Sequence, residues 1–371
     1  MDGRDLALRT LAGEEALPVP AHFFNIMEHA HIERLAGAAP GDYRRDPHGI
    51  FLRMIRACHT CSVDQYLAEN PLSMGDTGYE GAEHGATTGA EAVEIDGIAI
   101  HGADDVARHM EAVVFPALRA AADEFDEEQR TADIIAHEAD LQRRLGDDIL
   151  KLPYGHGSFP YMAYGTYGYG PYLEAWALYP ELMERHFALQ ADVAVRNNRA
   201  VAEAFRRGGL PLVTRLDHDM ADARGPLVSP ASLERLWYPH FARSIEPLLA
   251  AGVRCVWHCD GNVMPMVDPL IACGISGFQG FQYECGVDYP ALCRRTDRLG
   301  RSLLIWAGVS VTTTLPFGTP AQVRDEMRFL VENGPRSGLF LAHSSSLAPG
   351  APWENVAAYV EGLRHYREAA R

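Results

Sequence analysis

The chain has 371 residues, of which 47% are hydrophobic and 22% are charged, a composition typical of globular proteins. Its 50 acidic residues outnumber its 33 lysines and arginines, so the formal net charge is −17. This charge excludes the basic footprint that nucleic-acid binding needs, and it favours small molecules or a basic partner surface as ligands.

The first residues of the chain, MDGRDLALRTLAGEE, carry charges where a secretory signal would need an apolar core. No window approaches the roughly 18 consecutive apolar residues that span a bilayer. We therefore expect a cytoplasmic protein with no membrane partner. In that compartment the seven cysteines are expected to be thiols, not a disulfide framework.

The first half of the chain has few regular patterns. Strands are predicted at 17–24 and 148–154, and a long helical stretch at 172–207. Residues 50–147 are interpreted as an insertion that contains a hairpin at 91–102, where Asp-Gly forms the turn.

A lone CxxC pair, Cys58 and Cys61, lies within this insertion, in a segment predicted to be helical. One such pair supplies only half of a zinc site, and the chain has no second CxxC. Buried structural thiols are therefore the favoured interpretation.

The segment 153–176, PYGHGSFPYMAYGTYGYGPYLEAW, is rich in tyrosine and glycine and too irregular for a helix or a strand. Glycines allow close backbone approach, and tyrosines offer flat amphipathic surfaces. We expect a loop that lines a substrate site through His156, Tyr161, Tyr164 and Tyr167, and the spacing of the three tyrosines at every third residue is compatible with one shared face. A packed structural loop is the alternative.

The second half of the chain alternates regularly between strand and helix patterns. Several helices precede a glycine, Gly252, Gly274, Gly300 or Gly334, as expected where the backbone turns with positive φ. Ser229 and Pro230 mark one helix start. The predicted pairs of strand and helix are 210–216 with 229–252, 253–258 with 262–274, 275–284 with 288–300, 302–310 with 319–334, and 338–345 with 353–371.

Five strand–helix units in tandem predict a parallel sheet covered by helices. The favoured fold is α/β, a (β/α)8 TIM-type barrel with an N-terminal helical and hairpin excursion, formed by one domain over residues 1–371. A doubly wound open sheet is the rival, but the chain has no GxGxxG turn, so no nucleotide cofactor is expected.

Polar residues follow the predicted strands, where barrel enzymes place their sites. This set contains Asp217, His218, Asp219, His258, Asp260, Gln282, Glu284, Ser310 and His343.

His258 and Asp260 are two residues apart on an extended segment, so their side chains are expected to point the same way, with Cys259 opposite. With Glu284 from the next strand they could hold a divalent ion such as zinc and leave one coordination position open. A hydrogen-bonded polar network without metal is the alternative.

The runs VWHCDGNVMPMVDPLIACGISGFQGFQYECGVDY, AGVSVTTTLPFGTPAQV and GLFLAHSSSLAPGAPWEN resemble the uroporphyrinogen decarboxylase superfamily. That superfamily includes zinc methyltransferases that work with corrinoid proteins. The resemblance covers roughly residues 150–370 and implies a TIM-type barrel, zinc and a corrinoid-protein partner.

Two departures from that family change the expected chemistry. The methyltransferases hold zinc with a His-x-Cys pair and a distant cysteine, where this chain has His258, Asp260 and Ser345. Zinc held by oxygen and nitrogen is the stronger Lewis acid, so thiol methylation is less favoured. The N-terminal Arg-Gln-Ala-Gly-Arg signature of the decarboxylases is also missing, which disfavours a substrate with many carboxylates.

The resemblance also aligns an acidic pair and a following Gly-Pro run with Asp217 and Asp219. We interpret Asp219 as the preferred general acid or base, with His218, Asp217 and Tyr164 as further catalytic candidates. A structural alternative is that Asp219 caps a loop or pairs with Arg224. The predicted substrate-binding residues are His156, Tyr161, Tyr167, Gln282, Ser310 and His343.

Three functions remain open. The first is metal-assisted methyl transfer or demethylation between a small molecule and a corrinoid-type methyl carrier. The second is decarboxylation or C–C cleavage of a tetrapyrrole or a smaller carboxylic acid. The third is a non-catalytic module that binds a tetrapyrrole or a corrinoid protein. A homodimer is compatible with each of them.

Overall fold

The computed structural model describes residues 2–15, 18–69 and 93–369 of the chain. Leu17 of the first predicted strand and residues 70–92 of the predicted insertion lie outside them. The strands are β1 (Ala21–Phe23), β2 (Thr60–Val63), β3 (Val93–Ile95), β4 (Ile98–Ile100), β5 (Leu150–Lys151), β6 (Val213–Asp217), β7 (Ala221–Asp222), β8 (Gly225–Pro226), β9 (Arg254–His258), β10 (Ile275–Gln279), β11 (Leu304–Val309) and β12 (Leu339–His343).

Eight of these strands form one parallel sheet in the order β5-β2-β1-β12-β11-β10-β9-β6. An isolated parallel bridge between Tyr154, just beyond β5, and Arg215 of β6 joins the two outer strands. The sheet therefore curls into a closed barrel. The predicted TIM-type fold is confirmed, and the strands β3 and β4 form the predicted antiparallel hairpin outside it.

Helices surround the barrel, and a π-helical turn at Met110–Val114 joins two of them. The helices are α1 (Gly3–Leu11), α2 (His29–Leu35), α3 (Asp42–Arg45), α4 (Pro47–Ala57), α5 (Ala103–His109), α6 (Phe115–Asp123), α7 (Glu127–Leu145), α8 (Tyr164–Tyr167), α9 (Tyr169–Leu178), α10 (Pro180–Gly208), α11 (Pro230–Leu236), α12 (Tyr238–Ala250), α13 (Met264–Cys273), α14 (Tyr289–Cys293), α15 (Thr314–Phe317), α16 (Pro320–Asn333) and α17 (Trp353–Glu368). Within the described residues, no helix is long and apolar enough to cross a membrane.

Local signals account for several helix boundaries. The Ser229 hydroxyl accepts a hydrogen bond from the backbone N–H of Ser232, and Pro230 is the first residue of α11, as predicted. Gly274 ends α13 with φ of 117°, a conformation that favours glycine. The same expectation is wrong for Gly334, which has φ of −74° in an extended conformation.

Two predicted elements differ from the structure. The segment with Cys58 and Cys61 is not one helix, because α4 ends at Ala57 and Cys61 lies in β2. The predicted insertion at 50–147 therefore contains the second barrel strand. The segment 153–176 is also more regular than predicted, since it contains α8 and most of α9.

A compact apolar cluster fills the barrel interior. Val213, Leu304 and Leu150 lie at the starts of their strands, and Leu6 of α1 packs in the same cluster. Helix α1 therefore covers the end of the barrel where the strands begin. The opposite end, where the strands finish, carries the polar side chains described next.

Candidate metal centre at the rim of the barrel

Three potential metal ligands converge at the carboxyl ends of two neighbouring strands. His258 is the last residue of β9, and Asp260 follows it by two residues. Asp217 ends β6 in register with His258, which brings Asp219 alongside. One ligand atom from each of Asp219, His258 and Asp260 lies within 4.8 Å of the others.

The imidazole of His258 is oriented like that of a metal ligand. Its Nδ1 lies 3.3 Å from the backbone carbonyl of Gln279, which fixes that nitrogen as the donor. Its Nε2 lies 3.9 Å from Oδ1 of Asp219 and 4.0 Å from Oδ1 of Asp260. An imidazole that donates through one nitrogen to a carbonyl presents the lone pair of the other, as ligating histidines do.

Asp260 places a poorly compensated negative charge in this group. Its Oδ1 is buried and has no hydrogen-bond partner in the part of the chain that the structure describes. Burial raises the pKa of the Asp260 carboxyl, and the nearby carboxylates of Asp219, Glu284 and Asp217 raise it further, while His258 opposes the change. Its backbone N–H donates to Oδ1 of Asp219 at 2.8 Å, which holds the two loops together. A cation between these oxygens would relieve the repulsion.

The donor set therefore fits a small divalent ion. One imidazole nitrogen and two carboxylate oxygens are zinc ligands at about 2.0–2.2 Å. Because the three ligand atoms lie within 4.8 Å of one another, a modest contraction would bring all three into range of one ion. Three protein ligands leave a fourth position open, the pattern of a catalytic centre. The Cys259 thiol is not part of this close group; it accepts a hydrogen bond from the backbone N–H of Met220, and burial raises its pKa to about 12.

Of the other two predicted ligands, Glu284 lies outside the close group, and the role of Ser345 stays a prediction. Glu284 is exposed in a short 3₁₀ turn beyond β10, accepts a hydrogen bond from the hydroxyl of Thr312, and is not part of the mutually close group. The backbone carbonyl of Ser345 lies within hydrogen-bond distance of Nδ1 of His343. The third member of the close group is Asp219, which the sequence suggested as an acid or base.

Aromatic side chains stand on one side of the three ligands. The ring of Tyr164 stacks on that of His218, with centroids 5.6 Å apart, and its hydroxyl donates to the backbone carbonyl of Asp219. Nε2 of His218 accepts from the backbone N–H of Met162, and burial lowers the pKa of this histidine to about 4. Tyr161 is 54% exposed beside it.

Tyr167 and His156 lie apart from this wall. Tyr167 is buried with its hydroxyl 2.7 Å from Nδ1 of His109, so the three tyrosines do not share one face. Nε2 of His156 lies 2.8 Å from Oε1 of Glu138, which also pairs with Lys151 at 2.9 Å. The predicted contacts of Tyr167 and His156 with substrate stay predictions, and the positions of these two side chains do not favour them.

A second group with ligand spacing consists of the buried Glu138 and His156 and the exposed His137. Burial acts to raise the pKa of the Glu138 carboxyl, but His156 and Lys151 hold that pKa below its usual value. The Lys151 ammonium already compensates this carboxylate, so the group serves as a buried ion pair.

The remaining predicted substrate residues bond within the rim loops. The side-chain carbonyl of Gln282 accepts from the backbone N–H of Gly261 at 2.7 Å. The hydroxyl of Ser310 bonds within its own loop, to Thr312 and Thr313. His343 is buried at the end of β12, and burial lowers its pKa to about 4, so it is neutral at pH 7.

A buried network below the three ligands was not predicted. The guanidinium of Arg215 lies 2.9 Å from Asp64 and 3.2 Å from Asp217, and the Tyr154 hydroxyl donates to Asp217 at 2.6 Å. Burial acts to raise the pKa of the Asp64 carboxyl, but Arg215 and then His22 hold that pKa well below its usual range. The sequence signal was an arginine, Arg215, inside the predicted strand 210–216.

The alternative partner proposed for Asp219, Arg224, is engaged elsewhere. Its guanidinium pairs with Asp222 at 2.6 Å on the exposed hairpin formed by β7 and β8. Asp219 is therefore left to the group around His258.

Gly280 packs directly against the candidate ligand. It has φ of 79°, and a Cβ there would lie 2.6 Å from Nδ1 of His258. We expect Gly280→Ala to displace the imidazole and to weaken zinc binding by about 10- to 100-fold, the usual effect of disturbing a group that orients a ligand. Competition with a chromogenic chelator measures this affinity.

Gly286→Ala is the matched control for that variant. Gly286 also has positive φ, 92°, but a Cβ there would only approach Asn262 at 3.4 Å. Both variants carry the backbone strain of alanine at positive φ. Equal losses of zinc affinity in the two would show that strain, not displacement of His258, causes the effect.

Comparison with known protein families and with curated proteins gives no match to this sequence. Solved structures share the fold. A methyltransferase from Methanosarcina mazei aligns over 99% of both chains with a TM-score of 0.57 and 17% identity. A proposed vitamin-B12 independent methionine synthase from Listeria monocytogenes aligns over 96% of this chain and 99% of its own, with a TM-score of 0.50 and 16% identity. At these identities the likeness establishes the barrel fold alone.

Proposed function

We propose that this protein is a zinc-dependent methyltransferase that moves a methyl group between a small molecule and a corrinoid-type carrier. The observation that carries the proposal is the convergence of Asp219, His258 and Asp260 at the rim, with Nε2 of His258 facing both carboxylates. The neighbours of this fold whose names describe methyl transfer, and the resemblance seen in the sequence, support the same class of reaction.

In this proposal Asp219 is a metal ligand in place of Glu284. The three side chains carry two negative charges, so bound Zn²⁺ would make the centre neutral. When bound, zinc would act as a Lewis acid on the heteroatom that gives up or accepts the methyl group. A centre of oxygen and nitrogen ligands favours an oxygen or amine heteroatom over a thiolate.

The protein groups around the centre have positioning tasks. The Gln279 carbonyl fixes the His258 ring. Arg215 and Tyr154 both contact Oδ2 of Asp217. Burial raises the pKa of the Tyr154 hydroxyl, so it stays protonated and remains a donor to that carboxylate. The half-exposed ring of Tyr161 offers a flat surface to an incoming substrate.

A multiply carboxylated substrate fits this rim less well. Arg215 and Arg224, which lie near the rim carboxylates, are already paired with Asp64 and Asp217 and with Asp222. Neither cation is free to receive a substrate carboxylate. The decarboxylase hypothesis therefore has less support than methyl transfer.

The proposal is tested with zinc-loaded protein, cob(I)alamin as the methyl acceptor, and a panel of methyl ethers, methylamines and methyl thioethers. Methylcob(III)alamin formation, followed by absorbance, is expected with at least one oxygen or amine donor and only with zinc present. Zinc binding without methyl transfer from any donor would contradict the proposed reaction while leaving the metal centre intact.

A further inference from the structure

A cavity of about 610 Å³ lies at the end of the barrel opposite the candidate metal centre. Its walls include the beginnings of several strands and one face of α1. The lining residues that matter here are Leu8, Leu11, Leu212, Val213, Arg254 and Arg301. The volume falls in the range of small-molecule sites, about 300–1,000 Å³.

Arg254, the first residue of β9, is a half-buried cation in this cavity. Its Nη2 donates to the backbone carbonyls of Ser276 and Ser302, at 3.2 and 2.7 Å. Among the described residues, its Nε and Nη1 have no hydrogen-bond partner and its guanidinium has no carboxylate in ion-pair distance; the Nε is buried.

The local charge balance is positive. Arg301 lines the same cavity, and its Nε already pairs with Asp297 at 2.8 Å. Burial and, to a smaller extent, Arg301 lower the pKa of Arg254 to about 10, while Asp297 opposes the change. Arg254 therefore remains charged at neutral pH, at a cost in desolvation that an anion would offset. Of these two cations only Arg301 is paired with the Asp297 carboxylate, so the positive charge of Arg254 is left uncompensated, in a chain whose net charge is −17.

We propose that this cavity binds a small aliphatic carboxylate, with the carboxylate on the free side of Arg254 and the hydrocarbon against Leu8, Leu11 and Leu212. A guanidinium forms strong charge-assisted hydrogen bonds with a carboxylate. The leucines give an aliphatic tail a surface to cover, and Leu8 and Leu212 are 42% and 49% exposed without it. Inorganic phosphate would use the cation but leave these leucines exposed.

The site is independent of the proposed reaction, because it lies at the other end of the barrel. Isothermal titration of the full chain with hexanoate tests it, with 1-hexanol and inorganic phosphate as probes of each half of the ligand. We expect saturable 1:1 binding of hexanoate and at least tenfold weaker binding of both probes. Absence of hexanoate binding, or equal affinity for either probe, would overturn the proposal.

Two variants locate the binding. Arg254→Gln should weaken hexanoate binding at least tenfold. Arg254→Gln also removes the hydrogen bonds to Ser276 and Ser302, so a second variant is needed. Leu8→Glu, on the exposed face of α1, places a negative charge in the cavity wall and should weaken hexanoate binding to a similar extent.

Leu178→Glu, on another exposed leucine, is the matched control for Leu8→Glu and should bind hexanoate normally. Hexanoate binding should also persist in His258→Ala. This variant distinguishes binding in the cavity from binding of the carboxylate to zinc at the rim. Hexanoate affinity unchanged by Leu8→Glu, or lost in His258→Ala, would refute the assignment.

Discussion

Replacing His258 with alanine should abolish stoichiometric zinc binding while the barrel stays folded. The imidazole is the only nitrogen donor among the three close ligands, and its Nε2 faces both carboxylate Oδ1 atoms. Without it, two carboxylates remain, a set that binds zinc weakly. We expect zinc affinity to fall more than about 100-fold, which exceeds the usual effect of disturbing a residue that only orients a ligand. Methyl transfer should disappear with it.

His137→Ala is the matched control, since His137 belongs to the other His-Glu-His group of the described chain. It should keep one zinc per chain, because Lys151 already compensates Glu138. Metal content by mass spectrometry and circular dichroism give the two readouts. Full zinc occupancy in His258→Ala, or its loss in His137→Ala, would place the metal elsewhere.

The second large effect concerns stability. Arg215→Met should lower the free energy of unfolding by about 3–5 kcal/mol, because it leaves a buried charge without its partner. Asp64 is completely buried and depends on Arg215 at 2.9 Å. Methionine retains much of the side-chain volume, so lost packing is a minor contribution. Urea denaturation followed by tryptophan fluorescence measures the change.

Arg224→Met provides the comparison, because the Arg224–Asp222 pair is on the surface and the arginine side chain is 91% exposed. Exposed pairs contribute little to stability because water screens them, so little change is expected. Adding Asp64→Asn to Arg215→Met should recover part of the loss, since the orphaned charge is removed. A loss under 1 kcal/mol in Arg215→Met would show that the buried network is not electrostatically coupled.

Sequence reasoning succeeded where the spacing of residues determines direction. His258 and Asp260 are two residues apart at the end of a strand, so their side chains share a face, and Cys259 between them is not part of their close group. The parallel barrel followed from alternating strand and helix patterns that hold over five units. Both predictions depend on local periodicity, which is clear in the second half of the sequence.

The membership of the close group was harder to predict because it depends on where strands end. The sequence suggested a strand over 275–284, which would carry Glu284 to the rim, but β10 ends at Gln279 and Gly280 turns the chain with φ of 79°. Asp219 joins the group through the register between Asp217 and His258. The register between two strands that are far apart in sequence cannot be predicted from either segment alone.

The short strands of the first half gave too little pattern to recognise. β2 has four residues and follows α4 after a turn in which His59 has φ of 55°, uncommon for a residue with a side chain. A helix pattern therefore extended through it. The buried network of Asp64 and Arg215 was missed for the same reason, since Asp64 follows this unrecognised strand.

Zinc K-edge X-ray absorption on the zinc-loaded protein tests the central claim most directly. The three ligands Asp219, His258 and Asp260 predict a first shell of oxygen and nitrogen alone, at about 2.0–2.2 Å, with outer scattering from one imidazole. Sulfur scatterers at about 2.3 Å, from Cys259 or Cys285, would contradict this centre.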